Sequence, residues 1–230
     1  MIKTLIFDLD GTLVNTLYDL ADACNRALIF YKMKPHPTDD YRYFIGQGVK
    51  ELARKMLPKE LKDDEDWIAR IIKKQTEIYA KIYKQRSKLY PYANVTLKQL
   101  NKLEIKLFVF SNKLDKYTKL MVKEMLPEVK FEAVVGLSDK YPRKPDPSAI
   151  IAVFKKKKLS FENSAFVGDS KVDCETATNL KITMIGCNYG FRGKKELVDN
   201  GAKYTIDNLK ELIKIVKKEN KLILPKSSKK

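Results

Sequence analysis

Two acidic residues, Asp8 and Asp10, follow an apolar run that begins at Thr4, and their types and spacing suit carboxylate and metal chemistry. If the chain is still extended there, residues two apart direct their side chains to the same side. Two carboxylates that close repel each other unless one carries a proton or a cation lies between them. Oxygen ligands of this kind suit Mg²⁺, which completes its shell with water and substrate phosphate. Gly11 then permits a tight turn whose backbone N–H groups can face an anion.

Three later segments carry further polar side chains that could do chemistry, and two of them follow apolar runs. Ser111 and Asn112 follow one such run, and their hydroxyl and amide groups are donors suited to anionic oxygens. Lys144 lies between prolines, which restrict the backbone and so hold the charge in place. Asp169 ends another apolar run, and Asp173 follows one helical turn later. If all these runs are parallel strands, their polar ends meet at one edge of the sheet.

The four segments, in this order, resemble the motifs of the haloacid dehalogenase-like phosphohydrolases. The matching patterns are D-x-D-G-T from Asp8, a serine at a strand end at Ser111, K-P-x-P from Lys144 and G-D-x-x-x-D from Gly168. The resemblance covers nearly the whole chain and implies a phosphate monoester hydrolase with an aspartyl-phosphate intermediate. It implies that Asp8 is the nucleophile, that Asp10 is the general acid and base, and that Lys144 neutralises charge on the phosphoryl group. Asp10 favours phosphoryl chemistry over dehalogenation, because expulsion of a halide needs no proton.

The same resemblance implies binding roles for the remaining residues. Mg²⁺ is expected as the cofactor, held by Asp8, Asp10 through its carbonyl, and Asp169. The residues expected to bind the phosphate are Gly11, Thr12, Ser111, Asn112 and Lys144. Asp173 and Ser170 are expected to support the metal ligands and Lys144 from behind. In the helical part of the chain, Arg42, Gln47 and Lys50 are candidates for contact with a substrate carboxylate.

The order of predicted elements indicates an α/β fold with a second, helical unit. From Pro91 onward strands and helices alternate, which favours a Rossmann-like, doubly wound parallel sheet. Between the first two strands, however, nearly a hundred residues intervene, and they show only helical periodicity. We therefore expect a core domain of residues 1–14 and 91–218, a small all-helical cap domain of residues 15–90, and a loose basic tail of residues 219–230. A cap inserted after the first motif matches one subgroup of the family.

Composition limits the other function classes. The chain has 230 residues and a formal net charge of +17, with 46 Lys and Arg against 29 Asp and Glu. The excess is mostly lysine spread along the chain, without a recognisable nucleic-acid-binding motif, so we expect a solvated basic surface that attracts anionic substrates.

The early first strand leaves no room for a signal peptide, and no run is long enough for a membrane span, so a cytoplasmic location is expected. The three cysteines are expected to be core residues. A monomer or homodimer without nucleic-acid or membrane partners is expected, with a small phosphorylated metabolite as substrate.

Within the family the chain looks like the phosphoglycolate phosphatases, through its D-x-D-G-T-L-V, S-N-K and K-P-x-P segments and Tyr189-Gly190. Asn15 departs from the pattern, because relatives usually have an acid there. A sugar-phosphate mutase such as β-phosphoglucomutase is the nearest alternative, and pyrophosphatase or nucleotidase activity also stays open. An alternative from a different class is a nonenzymatic basic protein that binds nucleic acid.

Overall fold

A six-stranded parallel sheet forms the centre of the computed structural model, which describes residues 1–221. The strand order is β5-β4-β1-β6-β7-β8. The strands are β1 (Thr4–Phe7), β4 (Lys106–Leu114), β5 (Ala133–Leu137), β6 (Ser164–Gly168), β7 (Thr183–Cys187) and β8 (Tyr204–Ile206). The first strand lies between β4 and β6, and Ile6 pairs with Phe108 on one side and Phe166 on the other. The predicted fold class is confirmed.

Helices cover both faces of this sheet, as a doubly wound fold requires. The helices from residue 93 onward are α5 (Ala93–Lys102), α6 (Asp115–Met125), α7 (Ser148–Lys156), α8 (Lys171–Asn179), α9 (Gly193–Asp199) and α10 (Glu211–Lys221). Leu5 and Phe7 of β1 belong to an apolar cluster with α5, α6 and α10, whereas Ile6 belongs to a second cluster with α7, α8 and α9. Since side chains alternate along a strand, this short apolar run is buried on both faces.

Residues 17–82, here called the helical segment, form four α-helices and one 3₁₀ turn. They are α1 (Leu17–Phe30), the 3₁₀ turn Thr38–Asp40, α2 (Tyr41–Phe44), α3 (Val49–Met56) and α4 (Glu65–Ile82). Their apolar sides form a third cluster, which includes Leu17, Tyr41 and Ile71. Because this cluster is built largely from the segment's own residues, the segment has a core of its own, while the predicted division into domains stays a prediction.

Two short antiparallel strands, which the sequence pattern did not predict, join the helical segment to the sheet. Val14 of β2 (Val14–Asn15) pairs with Leu89 of β3 (Lys88–Leu89). At two residues each, the strands are too short to show a period in the sequence. They bring the two connections of the helical segment side by side.

The structure refines a few expected elements. Residues 38–44 form the 3₁₀ turn and the four-residue α2 in place of one continuous helix. Helix α9 was not anticipated. Of the predicted loose tail, residues 219–221 belong to α10, and residues 222–230 lie outside the described residues. The three cysteines are buried and unpaired, as expected. Within residues 1–221, no helix is both long and apolar enough to cross a membrane.

Candidate active site

The carboxyl edge of the sheet gathers the polar residues that the sequence singled out. Asp8 directly follows β1, and its backbone N–H still donates to the Val167 carbonyl at 2.9 Å, so it continues the ladder with β6. The chain then turns at Gly11, whose φ is +82°. Asp8 is only 6% exposed and Asp10 only 9%. The apolar strand thus delivers two carboxylates into a nearly dry environment, where charges interact strongly.

Lys144 lies between two of the buried acids. Its Nζ is 2.9 Å from Oδ1 of Asp8 and 2.8 Å from Oδ1 of Asp173. The side chain is 1% exposed, so the two carboxylates, and not water, stabilise the ammonium. Although burial opposes protonation, Asp173 and Asp8 raise the pKa of Lys144 to about 12. Lys144 is therefore a fixed positive charge beside Asp8.

Asn112 holds the backbone of Lys144 from the neighbouring strand end. Its Oδ1 accepts the Lys144 N–H at 2.7 Å, and its Nδ2 donates to the Lys144 carbonyl at 3.0 Å. The same Nδ2 also donates to the carbonyl of Gly46, in the helical segment, at 3.0 Å. Asn112 therefore connects three separate parts of the chain: β4, the Lys144 loop and the α2–α3 loop.

Asp169 lies at the end of β6 in a space that two glycines provide. Its Oδ2 accepts the backbone N–H of Phe191 at 2.7 Å, and its Oδ1 is 3.4 Å from the hydroxyl of Thr12. A Cβ at Gly11 would lie 2.3 Å from this carboxylate, and a Cβ at Gly190 would lie 2.2 Å from the Asp169 Cβ. Both positions must therefore be glycine for Asp169 to take its place. In the sequence, Gly190 was noted only as part of the Tyr189-Gly190 segment, and its steric role beside Asp169 was not predicted.

Asp173 organises the start of α8. Its Oδ2 accepts the N–H groups of Asp169 and Ser170, both at 3.1 Å, and the Ser170 hydroxyl at 2.8 Å. With Lys144 on Oδ1, both oxygens of Asp173 already have donors. Ser170 and Asp173 thus lie next to Asp169 at the start of α8, and their supporting role stays a prediction.

The cluster fits a divalent cation. Carboxylate oxygens of Asp8, Asp169 and Asp173 lie within 4.8 Å of one another. Asp173 is taken up by four donors, whereas Asp8 Oδ1 has no hydrogen-bond partner within residues 1–221 and Asp169 has one short hydrogen bond, from Phe191, so Asp8 and Asp169 have more capacity to bind a metal. Four buried carboxylates face two buried ammonium groups, an excess of two negative charges; the residues are Asp8, Asp10, Asp169, Asp173, Lys113 and Lys144. A divalent cation would balance this charge.

The electrostatics of the two free acids agree with such a site. Burial raises the pKa of Asp8 to about 6 against the opposing charge of Lys144, with Asp173 adding to the rise. Burial, and then the charges of Asp173 and Asp8, raise the pKa of Asp169 well above its ordinary value. Both carboxylates lack enough positive charge in the protein alone, and a cation would supply it.

Asp10 has its own partners on the opposite side of the turn. Its Oδ1 accepts the Thr16 hydroxyl at 2.7 Å, and its two oxygens lie 3.1 and 3.3 Å from Nζ of Lys113. The sequence interpretation assigned no role to Thr16 or to Lys113. Lys113 follows Ser111 and Asn112 directly near the end of β4, and its position just after the apolar run was the signal that could have marked it.

A pocket of about 590 Å³, including its mouth, opens between the sheet edge and the helical segment. Asp8, Asp10 and Ser111 line it from the sheet side, and Gly46 and Gly48 line it from the α2–α3 loop. Ser111 itself is 2% exposed. Since both Asp8 and Asp10 reach this one pocket, a bound molecule there would contact both.

Arg192 fastens the helical segment to the sheet beside this pocket. Its guanidinium donates to the carbonyl of Arg42, to that of Tyr43 at 3.3 Å and to that of Ile45 at 2.9 Å. These carbonyls belong to the end of α2, where a helix leaves acceptors without partners. The α2–α3 loop is therefore held over the pocket by Arg192 on one side and Asn112 on the other. No motif pointed to Arg192, since its acceptors are backbone atoms far away in sequence.

The three residues of the helical segment that were expected to contact a substrate carboxylate do not line the pocket; they are Arg42, Gln47 and Lys50. Arg42 is bound to Asp39 at 3.0 Å, and Lys50 to Glu65 at 2.8 Å. Neither of them, nor Gln47, lines the pocket. The other predicted site residues do converge at the sheet edge, and their catalytic and binding roles stay predictions.

A doubly wound sheet with paired aspartates, a fixed lysine and a candidate cation site at its carboxyl edge defines an enzyme of the α/β class. The chain belongs to the haloacid dehalogenase-like hydrolases, whose family model matches residues 5–187. A phosphoglycolate phosphatase of Pseudomonas fluorescens is 29% identical over 218 residues, which cover 92% of this chain and 78% of the relative. One of Vibrio parahaemolyticus is 27% identical, with 94% of this chain and 96% of the relative covered.

Solved structures agree with this assignment. The crystal structure of a predicted phosphoglycolate phosphatase from Haemophilus somnus has a TM-score of 0.86 and 26% identity, and the match covers 94% of this chain and 98% of that one. The predictions of the family and of a phosphatase are confirmed by these matches.

Proposed function

We propose that the protein is a Mg²⁺-dependent phosphate monoester hydrolase that works through an aspartyl-phosphate on Asp8, with phosphoglycolate as its first candidate substrate. One observation carries the proposal: Asp8 lines the pocket with Lys144 Nζ at 2.9 Å from its Oδ1 and Asp169 beside it. A carboxylate can attack a phosphate dianion only where neighbouring charge offsets the repulsion. Lys144 and a bound cation would provide that charge together.

In the first step, a carboxylate oxygen of Asp8 forms a bond to phosphorus and the bond from phosphorus to the ester oxygen breaks. Asp10 gives its proton to the departing oxygen, which leaves as an alcohol. In the second step, water attacks phosphorus, Asp10 takes the proton from that water, and Asp8 is released with inorganic phosphate. Asp10 suits both steps because its carboxylate lies in the same pocket and is oriented by Thr16 and Lys113.

The residues proposed to hold Mg²⁺ are Asp8 and Asp169, together with the carbonyl of Asp10. When bound there, the ion would supply positive charge to the phosphate oxygens. The oxygen-rich, carboxylate ligand set favours Mg²⁺ over softer metals. Asp173 would act on this site indirectly, since its oxygens are engaged with Ser170, Lys144 and the Asp169 N–H.

The phosphate would be bound by Lys144, the Ser111 hydroxyl and backbone N–H groups of the turn at Gly11 and Thr12. The Thr12 hydroxyl is turned towards Asp169, so its contribution would come from the backbone. The Asn112 side chain is already used for the Lys144 loop and Gly46, so we assign it the positioning of Lys144.

We further propose that residues 15–90 act as a cap on a core of residues 1–14 and 91–218. The α2–α3 loop lies over the pocket, and Arg192 and Asn112 hold it there. A cap of this kind would exclude water and favour small substrates. The basic surface would raise the local concentration of anionic substrates, which makes the nonenzymatic nucleic-acid-binding alternative unnecessary to explain the charge.

A phosphate-release screen over small phosphomonoesters, with and without Mg²⁺, tests the proposal. Asp8→Asn should lower turnover by about three orders of magnitude or more, because it removes the nucleophile. Asp63→Asn is the control, since Asp63 is 79% exposed and lies outside the pocket. If Asp8→Asn kept wild-type turnover, the proposed nucleophile would be wrong. Transfer of the trapped phosphoryl group to a hexose phosphate in place of water would favour the mutase alternative.

A further inference from the structure

The part of the pocket beyond Asp10 contains one cationic side chain. The helical segment contributes neutral side chains there, among them Leu20, Val49, Leu52 and Thr76. Among the residues that line the pocket, Lys113 is the one with a positive charge. The group of a substrate that lies beyond the ester oxygen would therefore meet uncharged walls, which include the polar side chains of Gln75 and Thr76, and a single ammonium.

Lys113 is buried but has capacity for a second partner. Its side chain is 5% exposed, and within residues 1–221 Asp10 is the one carboxylate that accepts from it. Although burial opposes protonation, Asp10 and then Tyr79 raise the pKa of Lys113. The ring centre of Tyr79 lies 4.7 Å from Nζ and covers another side. An ammonium has three N–H donors. Since the pocket is the open space that Lys113 borders, a further acceptor would reach the ammonium from there.

The other cations near the pocket are engaged. Lys144 lies between Asp8 and Asp173, and Arg192 donates to three backbone carbonyls. Lys50 binds Glu65 outside the pocket. An anionic group on a substrate therefore has Lys113 as its partner in this part of the site.

We propose that Lys113 binds a carboxylate on the leaving group and so selects phosphate esters of short 2-hydroxy acids. This inference rests on the proposed function. Asp10 would contact the ester oxygen, and Lys113 lies 3.1 Å from Asp10. In an ester of a 2-hydroxy acid, the carboxylate is bonded to the carbon that carries the ester oxygen, so the two oxygens are about one hydrogen-bond length apart. The spacing of Asp10 and Lys113 matches that arrangement, and the ammonium separates the substrate carboxylate from Asp10.

The test compares phosphoglycolate with 2-hydroxyethyl phosphate, an ester of equal length that has no carboxylate. Wild-type protein with Mg²⁺ should have the higher kcat/KM for phosphoglycolate. Lys113→Met should lower the ratio of the two kcat/KM values by about tenfold to a hundredfold, the loss expected for a charged hydrogen bond. Lys50→Met is the matched control and should leave the ratio unchanged, because Lys50 does not line the pocket.

Equal losses on both esters would show that Lys113 acts through Asp10 alone and would overturn the inference. If wild-type protein with Mg²⁺ released phosphate from none of the esters in the screen, the proposed function would fail; if it hydrolysed phosphoglycolate and 2-hydroxyethyl phosphate with equal kcat/KM, the inference alone would fail. A measurement on wild-type protein avoids dependence on the folding of the variant. 3-Phosphonopropionate, which replaces the ester oxygen of phosphoglycolate by a methylene, should bind about tenfold or more tightly than propylphosphonate by titration calorimetry, and equal affinities would overturn the inference.

Discussion

The ammonium nitrogen of Lys144 lies 2.8 Å from Oδ1 of Asp173, and both side chains are almost completely buried. The pair joins the Lys144 loop to the start of α8, two segments that share no local sequence signal. Since Asp173 also accepts the N–H of Asp169, one carboxylate positions both the fixed positive charge and a proposed metal ligand. Removal of that carboxylate should disturb the whole sheet edge.

Asp173→Asn should lower both stability and activity. An amide nitrogen cannot accept the N–H groups of Asp169 and Ser170, and each buried donor left without an acceptor typically costs about 1–3 kcal/mol. Urea unfolding measures the change, and turnover should fall in parallel because Lys144 loses its orientation. Asp199→Asn is the control, since Asp199 is 55% exposed and pairs with the exposed Lys195. Wild-type stability in Asp173→Asn would contradict the role given to this pair.

Gly190→Ala should abolish Mg²⁺-dependent activity while the fold persists. A Cβ at this position would lie 2.2 Å from the Asp169 Cβ, so Asp169 would have to move from its place. Circular dichroism would report the fold, and a Mg²⁺ titration would report the loss of metal binding.

Gly201→Ala separates this steric effect from backbone strain. Gly201 has a φ of +88°, and a Cβ there meets nothing within 4 Å. Its substitution should cost about 1 kcal/mol of stability and leave activity unchanged. If both glycine variants kept wild-type Mg²⁺ affinity, the site would not depend on the placement of Asp169.

Arg192→Ala should loosen the α2–α3 loop. The carbonyls of Arg42, Tyr43 and Ile45 would lose their donor, so amide hydrogen exchange in residues 42–46 should become faster. KM should rise by about tenfold, with a smaller change in kcat, because the reacting groups stay in place. Arg26→Ala is the control, since Arg26 pairs with Asp22 at the surface. Unchanged exchange in residues 42–46 would contradict the fastening role.

Stabilisation by Mg²⁺ should depend on pH. Burial raises the pKa of Asp8 from 3.8 to about 6, so the folded state holds this proton more tightly than the unfolded state. The metal-free protein should therefore lose stability as the pH rises from about 4 to about 6. Because a metal competes with protons for a carboxylate, Mg²⁺ should raise the melting temperature more at about pH 7.5 than at about pH 5. Thermal unfolding with and without Mg²⁺ checks this, and an equal rise at both pH values would contradict it.

The strands and most helices were predictable from the sequence because their signals are local. The apolar run before Asp8 and the apolar stripe on α4 each identify an element without knowledge of its neighbours. The order of elements also predicted the doubly wound sheet. Residues at the strand ends, including Asp8, Ser111 and Asp169, could be expected to meet because parallel strands share a carboxyl edge.

Only the tertiary structure decided which side chains touch. The contacts of Lys113 with Asp10 and of Arg192 with Ile45 join residues more than a hundred positions apart, and neither pair has a spacing that a pattern could reveal. Likewise, Arg42 and Lys50 had suitable charges, but local acidic partners hold them away from the pocket. Sequence thus determined the elements and their polar ends, since hydrophobic periodicity acts within one element. Packing decided the partners, because the distance between two side chains depends on how those elements are placed in three dimensions.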